Sequence, residues 1–464
     1  MGQEVKQNQQ SGLGRLLARV LVLGISAQIL LGIFWILLSF SSYREYGESL
    51  LLLSAKESLV CDEWQGILYV LLMKASGAIA GLFGMPWYCP LYAVQLLLAG
   101  GAAHVILGAI PAYQSAKWPV KLWTVLAMVT FPAAAQCHLA VLPISLASSV
   151  FLASLGVILR CAKAQKKDEV RDIPATHIAL LGVAYLIEQL LWPKFGILGA
   201  LLLVLYAVYE LLSLKKVFTL AILTAVFLGL VPVVFSLTVQ EGAHGRTYDT
   251  VEAAALRRYA WHDLIALYPE WSGEMKESFS QDEISLLARF PEELPQALGK
   301  IDAKYGKEQA RSIYGALAKT AHRRLWRQNA VEIAKDLACY AFAPASDLVI
   351  MRSDRLVTLE RRNLESMRRS ALLLATVFVT ASGWCFLAML LIGAFLQGKE
   401  LLGKKREDRV AALKRCLPFW ILSGAYLLYV TYQGGGITDA KAILPVTAFW
   451  MLWGIGRIYK TLEQ

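Results

Sequence analysis

The sequence has too few charged residues for a soluble protein of its size. Charged side chains make up 17% of its 464 residues, hydrophobic residues make up 57%, and the mean hydropathy is +0.49. A typical soluble domain carries about a quarter charged residues. The shortage of charge therefore excludes an ordinary soluble protein and directs attention to the apolar runs of the chain.

The seven cysteines lack the spacings that are typical of metal sites and disulfide frameworks. None forms a CxxC pair, and no histidine pattern accompanies them, which argues against both a structural zinc site and a disulfide scaffold. A bridge between Cys61 and Cys89 is conceivable, but buried free thiols are the favoured interpretation. The sequence also has no internal repeat and no low-complexity tract.

What the sequence does have is a series of eleven long apolar segments. They lie near residues 20–40, 65–83, 89–110, 118–135, 138–160, 176–193, 195–213, 216–238, 371–396, 417–432 and 441–457. A membrane-spanning helix needs about 20 apolar residues and satisfies its own backbone hydrogen bonds. We therefore predict an all-α, polytopic helical membrane protein. The first segment is predicted to be an uncleaved span, because it is longer than a signal-peptide core and lacks a convincing cleavage site.

The basic residues between these segments predict which of them cross the membrane. Cytoplasmic loops are rich in lysine and arginine, and the strongest basic loops are residues 160–171 and 398–415. If all eleven segments crossed from a cytoplasmic N-terminus, both loops would be external. Removing one early crossing corrects this. The segment at 65–83 is the best candidate, because Lys74 would cost about 2.5–3.5 kcal/mol at the bilayer centre.

We therefore predict about ten transmembrane helices in a plasma membrane, with cytoplasmic N- and C-termini. Residues 41–88 then form one external loop that contains a juxtamembrane helix. The alternative is a genuine eleventh span in which Lys74 is paired inside the bundle. The net charge of +11 is assigned to cytoplasmic loops rather than to nucleic-acid binding, so membrane lipid is an expected partner and nucleic acid is not.

This topology divides the chain into three parts. Residues 1–238 are predicted to form an N-terminal transmembrane bundle, residues 239–370 an extracytoplasmic helical domain, and residues 371–464 the C-terminal transmembrane helices. The middle part has no catalytic triad and no glycine-rich phosphate loop. An amphipathic pattern runs through it from Lys307 to about Cys339, with alanine, leucine, isoleucine and tryptophan on one stripe, which predicts a long helix in a small helical insert.

Two adjacent acids lie just before the segment at 65–83, which is predicted not to cross the membrane. On the predicted topology Asp62 and Glu63 lie on the external face, at the N-terminus of the juxtamembrane helix, where the helix dipole favours negative charge. From spacing alone, an acidic first turn with no further role is the favoured explanation of the pair.

The residues around this pair resemble the GT-C superfamily of glycosyltransferases. In that family a cytoplasmic N-terminus leads to one span and then to a long external loop. The protein O-mannosyltransferases among them carry an Asp-Glu pair in this loop, which Asp62 and Glu63 match in type and order. The following GILYVLLMKASGAIAGLFGMP resembles the family's next helix but lacks its prolines. The residues that fit are Tyr69, Leu71, Leu72, Phe83 and Gly84.

The resemblance implies a reaction and a set of partners. The donor would be a sugar on a polyprenyl-phosphate carrier, and the acceptor a glycan, lipid or protein of the cell envelope. Asp62 would be the general base that takes the acceptor's proton. Glu63 would be a second candidate base, or would orient the acceptor or a divalent metal ion. No other cofactor is implied. The resemblance covers the first 160 residues best and the remainder only by topology.

A lipid-phosphate donor needs cations near the outer membrane surface. Arg257, Arg258 and His262 are candidates, because Arg258 and His262 are four residues apart and would share a helix face. A second basic run lies at residues 352–369. Both runs could instead be faces that contact water or lipid headgroups.

Four further polar residues complete the set of candidates. Glu48 in the first external loop and His138 at a predicted external turn are candidate substrate-binding residues, although Glu48 could simply be solvated. Glu188 lies in an apolar segment, about a turn from its external end, where its side chain could snorkel to the interface. His104 is predicted to make a satisfied helix–helix contact.

Two other functions remain open from the sequence. A transporter or flippase of lipid-linked saccharides should show inverted repeats or paired broken helices, and neither is visible. A scaffold in an envelope assembly would need none of the acids. The glycosyltransferase is the favoured hypothesis of the three.

Overall fold

The computed structural model describes the N-terminal half of the chain almost completely and the C-terminal half in shorter stretches. The described residues are 2–40, 47–59, 61, 66–164, 174–192, 199–200, 202–204, 206–207, 217–238, 264, 266–271, 273–277, 279–280, 284, 301, 303–328, 330–331, 333–334, 364–402, 423–424 and 450–458. Within these ranges the secondary structure is helical and no strand occurs. The all-α class is therefore confirmed for the described residues.

The N-terminal half contains nine of the described helices. They are α1 (Gly2–Phe40), α2 (Gly47–Ser58), α3 (Ile67–Phe83), α4 (Tyr88–Leu107), α5 (Pro111–Ser115), α6 (Trp118–Val129), α7 (Pro132–His138), α8 (Ile144–Ala164) and α9 (Pro174–Leu191). The later helices are α10 (Val217–Thr238), α11 (Gly273–Glu277), α12 (Lys307–Arg324) and α13 (Leu364–Leu402), with a 3₁₀ turn at Tyr268–Glu270.

Prolines and one glycine explain where several of these helices begin and end. The predicted segment at 118–135 is divided into α6 and α7, because Pro132 begins a new helix after the extended residue Phe131. At the other end of its helix, α3 stops at Gly84. That residue adopts a left-handed conformation, with φ of 63°, and its N–H donates to the Ala80 carbonyl.

Three of the described helices contain stretches long and apolar enough to cross a membrane. These stretches are Leu16–Leu37, Tyr88–Leu107 and Ala381–Gly398. Five shorter apolar helices accompany them in the described part of the chain. This supports a membrane protein by length and composition, whereas about ten spans remains a prediction.

The helices α1 and α4 meet at one end of the bundle. The Phe40 ring at the end of α1 lies edge-on to Tyr92 of α4, with the ring centroids 6.0 Å apart. Near the other end of α4, the Arg160 guanidinium of α8 donates to the His104 carbonyl at 3.3 Å. The chain between Phe40 and Tyr88, which includes α2 and α3, therefore leaves and returns at the same end.

The contacts of α3 lie at this same end. Tyr69, in its first turn, donates a hydrogen bond to the side chain of Gln95 in α4, and Gly66 packs against the C-terminal end of α9. Lys74 is exposed, which does not fit the alternative of a lysine paired inside the bundle. The last turn of α3 is also exposed, with Leu82 83% and Phe83 70% accessible.

Gly66 fits against α9 only because it has no side chain. A β carbon there would overlap the carbonyl oxygens of Leu190 and Leu191. We expect Gly66→Ala to lower the free energy of unfolding by about 2 kcal/mol, because backbone atoms cannot move aside as a flexible side chain can. Titration of the purified protein with SDS in mixed micelles measures this change.

Gly81 provides the matched control in the same helix. A β carbon at Gly81 would meet nothing within 4 Å. Gly81→Ala should therefore raise the stability by about 0.5–1 kcal/mol through helix propensity. Equal effects of the two substitutions would contradict the packing of Gly66 on α9.

The insert has an apolar core of its own. The predicted amphipathic stripe of α12 is confirmed for its alanine, leucine and isoleucine residues, since the buried residues on this helix are Ala310, Ile313, Tyr314, Leu317, Ala318 and Ala321. Its placement of the tryptophan was wrong, because Trp326 lies beyond the end of α12 and is 59% exposed. They pack with aromatic and aliphatic residues that include Leu264, Trp271, Phe279, Ile284 and Ile301. The helix bends at Leu325 rather than running straight on. Further along the chain, α13 begins at Leu364 and so crosses the boundary predicted at residues 370 and 371.

Candidate functional site

Most of the predicted site residues lie outside the residues that the structure describes. This holds for Asp62, Glu63, Arg257, Arg258 and His262. Their predicted roles therefore remain predictions, and the site has to be built from the described residues around the acidic pair.

Two other predicted site residues fall within described helices. Glu48 belongs to α2, where the backbone is helical and the side chain is not described. His138 is the last residue of α7 and is fully described. It lies in a buried polar network at the end of the bundle where α1 meets α4.

The described residues on either side of the acidic pair are both buried. Cys61 is 1% exposed, and Gly66 packs on the last turn of α9. Burial raises the pKa of the Cys61 thiol to about 11, so it stays protonated and is a poor partner for disulfide chemistry. Cys89 is also free, in agreement with the interpretation of both residues as free thiols.

Gln95 is the centre of the polar network. It is fully buried, and its Nε2 donates to the carbonyl oxygens of His138 at 2.8 Å and Ala140 at 3.0 Å. Its Oε1 accepts a hydrogen bond from the Tyr69 hydroxyl at 3.1 Å. One amide therefore joins α3, α4 and the connection between α7 and α8, which fixes where α3 begins.

His138 extends this network into α8. Its Nδ1 lies 2.8 Å from the Ser145 hydroxyl, and its side chain is 5% exposed. The Ser149 hydroxyl in turn donates to the Ser145 carbonyl at 2.7 Å. His138 is buried at the end of α7, and its hydrogen bonds give it a structural role, whereas its location on the external face remains a prediction.

A cation and an aromatic ring lie side by side at the same end. The Lys56 ammonium of α2 lies 4.0 Å from the ring centroid of Trp87, a cation–π arrangement. Burial lowers the pKa of Lys56, while the neighbouring Glu57 carboxylate acts in the opposite direction. Sequence reasoning did not identify Lys56 as a candidate site residue. The one feature that could have indicated it is its position six residues before Asp62.

Glu188 is buried in the last part of α9. Its side chain is 1% exposed, so it does not snorkel to the interface. Its carboxylate packs against Gly199, and its Oε2 has no hydrogen-bond partner among the described residues. A buried carboxyl oxygen without a hydrogen-bond partner lowers the stability of the fold. Glu188 is therefore a further candidate site residue in addition to Asp62 and Glu63. It lies near the end of α9 on which Gly66 packs.

The remaining polar residues add little to a site. Near the other end of α4, the His104 Nδ1 lies 2.7 Å from the Tyr113 hydroxyl, as predicted for a satisfied structural histidine. Within the described ranges no group of three or more side chains could hold a metal ion.

Comparisons with known proteins do not assign the chain to a family. No family model, no curated protein and no solved structure matches it. Its function therefore has to be argued from the arrangement of its own residues.

Proposed function

We propose that the protein is a GT-C-like glycosyltransferase that moves a sugar from a polyprenyl-phosphate carrier to a cell-envelope acceptor at the outer face of the membrane. The observation that carries the proposal is that the chain leaves the bundle after α1 and rejoins it at the start of α4, at the same end. The residues between Phe40 and Tyr88 leave and rejoin the bundle at one end, and the acidic pair belongs to this connection. The resemblance to the GT-C superfamily rests on this arrangement, in which one long loop on the external side of the membrane contains a pair of acids.

The distribution of charge supports an external position for this connection. Arg160 contacts the C-terminal part of α4, and the basic residues of the loop at 160–171 follow it in the sequence. By the positive-inside rule that end of the bundle is cytoplasmic. The end where α1 meets α4 is then external. Multiple spans, about ten in number, and cytoplasmic termini complete the proposed topology.

The proposed chemistry is a single displacement with inversion at the anomeric carbon. The acceptor hydroxyl oxygen forms a bond to that carbon, and the bond from that carbon to the phosphate oxygen breaks. The acceptor proton passes to Asp62, and the polyprenyl phosphate leaves with the electron pair. Phosphate is already a good leaving group, so one base is sufficient. Glu63 orients the acceptor or acts as the base in its place.

Cations and polar groups around the acids have proposed binding roles. Arg257, Arg258 and His262 bind the donor phosphate through charge-assisted hydrogen bonds. Glu48 and His138 bind the sugar or the acceptor. Lys56 adds a cation at the end of the bundle where the connection with the acidic pair begins and ends.

Reconstitution tests the function directly. The purified protein in proteoliposomes is given a panel of radiolabelled polyprenyl-phosphate sugars together with an envelope extract as the source of acceptors. Label that moves to an acceptor, with release of polyprenyl phosphate, supports the transferase. Donor that changes leaflet without transfer would identify the flippase instead. A protein that does neither would fit the scaffold.

A further inference from the structure

One face of the helical insert is basic and aromatic, and it is exposed. Lys319 and Arg323 are four residues apart, which places them on one side of α12, and Trp326 and Arg327 follow directly after the bend at Leu325. All four side chains are exposed, and Trp326 is 59% accessible. The Arg327 guanidinium lies 5.6 Å from the ring centroid of Trp326. We call these four residues the basic face.

Three other cations among the described residues of the insert interact within it, in contrast to Lys319 and Arg323. Arg324 forms an ion pair with Glu270 at 2.9 Å. Lys276 and Lys304 donate to the carbonyl oxygens of Pro269 and Glu277. The structure gives Lys319 and Arg323 no such ion pair or hydrogen bond among the described residues.

The position of the insert in the chain identifies what this face can meet. The insert is connected on both sides to apolar helices, α10 before it and α13 after it. If those helices are embedded in a bilayer, the insert is held near its surface at a high effective concentration. Anionic lipid headgroups attract clustered lysine and arginine, and tryptophan favours the boundary between headgroups and acyl chains.

We propose that the basic face docks on the anionic headgroups of the bilayer in which the apolar helices lie. Lys319, Arg323 and Arg327 contact lipid phosphates, and Trp326 enters the interfacial layer between them. The opposite side of α12 is already buried against the core of the insert. Docking therefore holds the insert at the membrane surface in a fixed orientation. This inference does not depend on the proposed glycosyltransferase activity.

Hydrogen exchange of the full-length protein in nanodiscs tests the docking. We compare nanodiscs of phosphatidylcholine alone with nanodiscs that contain 40% phosphatidylglycerol, and measure exchange across residues 319–331 by mass spectrometry. Each basic side chain near an anionic surface contributes about 1 kcal/mol. Losing two of them should therefore shift the docking equilibrium by up to about thirtyfold. We expect slower exchange with phosphatidylglycerol, and loss of that difference in 0.5 M NaCl.

Two variants, each lacking two positive charges of the insert, distinguish docking through the basic face from a general effect of the net charge of the insert. The difference between the two lipids should vanish in R323Q/R327Q and persist in K276Q/K304Q. Taking the ratio of exchange rates in the two lipids cancels any change in the stability of the insert itself. Equal exchange of the wild-type protein in both lipids would overturn the proposal. The proposal would also be overturned if the two variants showed the same ratio of exchange rates, or if R323Q/R327Q still exchanged more slowly with phosphatidylglycerol.

Discussion

Asp62→Asn is expected to lower sugar transfer by about 10²–10⁴-fold, which is the usual contribution of a general base. Asparagine has nearly the same shape as aspartate but cannot accept the proton of the acceptor hydroxyl. The loss should therefore appear in kcat, with little change in KM for the polyprenyl-phosphate donor. Initial rates of transfer with a radiolabelled donor in proteoliposomes measure both constants.

Glu63→Gln is the matched control, because it makes the same change of acid to amide at the next residue. We expect a smaller loss from it, expressed mainly in KM for the acceptor if Glu63 orients that substrate. If Glu63→Gln abolished sugar transfer while Asp62→Asn remained active, Glu63 would be the general base and Asp62 the orienting residue. Full activity in both variants would rule out these acids as the base. Unfolding by SDS shows whether either variant is merely less stable.

The sequence predicted the class of fold and the positions of several helices from hydropathy alone. The apolar segment at 89–110 corresponds to α4, and the segment at 176–193 corresponds to α9. Boundaries set by backbone chemistry were less well predicted. The break before Pro132 divides one apolar run into two helices, because hydropathy averages over residues and does not register a local change of backbone direction.

Counting charges predicts that residues 41–88 form one connection on the external side, but it does not predict how this connection packs. Basic loops indicate which end of a helix faces the cytoplasm, but they carry no information about neighbours. The contact of Gly66 with α9 joins residues more than a hundred positions apart. No local pattern predicts such a contact, because it depends on how the helices pack.

The buried polar network was missed for a related reason. Gln95 occurs as a single amide within the apolar run LYAVQLLLAG, and an amide there is a detectable signal, since a buried one needs partners. The sequence does not reveal the partners, because two of them are backbone carbonyl oxygens at His138 and Ala140. Every residue has a carbonyl, so residue identity gives no indication of which one is used.

Gln95→Leu is expected to be the most destabilising single substitution among those considered, at about 3 kcal/mol. Leucine has a similar volume, so the effect comes from hydrogen bonding rather than from a cavity. The change leaves the Tyr69 hydroxyl and the carbonyls of His138 and Ala140 without this partner. The loss of a hydrogen-bond partner of a buried group costs about 1–3 kcal/mol, and membrane proteins lie at the low end of that range. The free energy of unfolding in SDS mixed micelles measures the change.

Gln28→Leu provides a matched control within the same bundle. Gln28 is 2% exposed, but among the described residues it makes one long hydrogen bond, 3.4 Å from its Nε2 to the Ala127 carbonyl. Its replacement should cost about 1 kcal/mol or less. Tyr69→Phe removes only the hydroxyl from the network and should fall between the two. If Gln95→Leu were no more damaging than Gln28→Leu, the network would not be what fixes the start of α3. The acidic pair would then depend on the packing of Gly66 against α9 for its position, and Gly66→Ala would become the more damaging change.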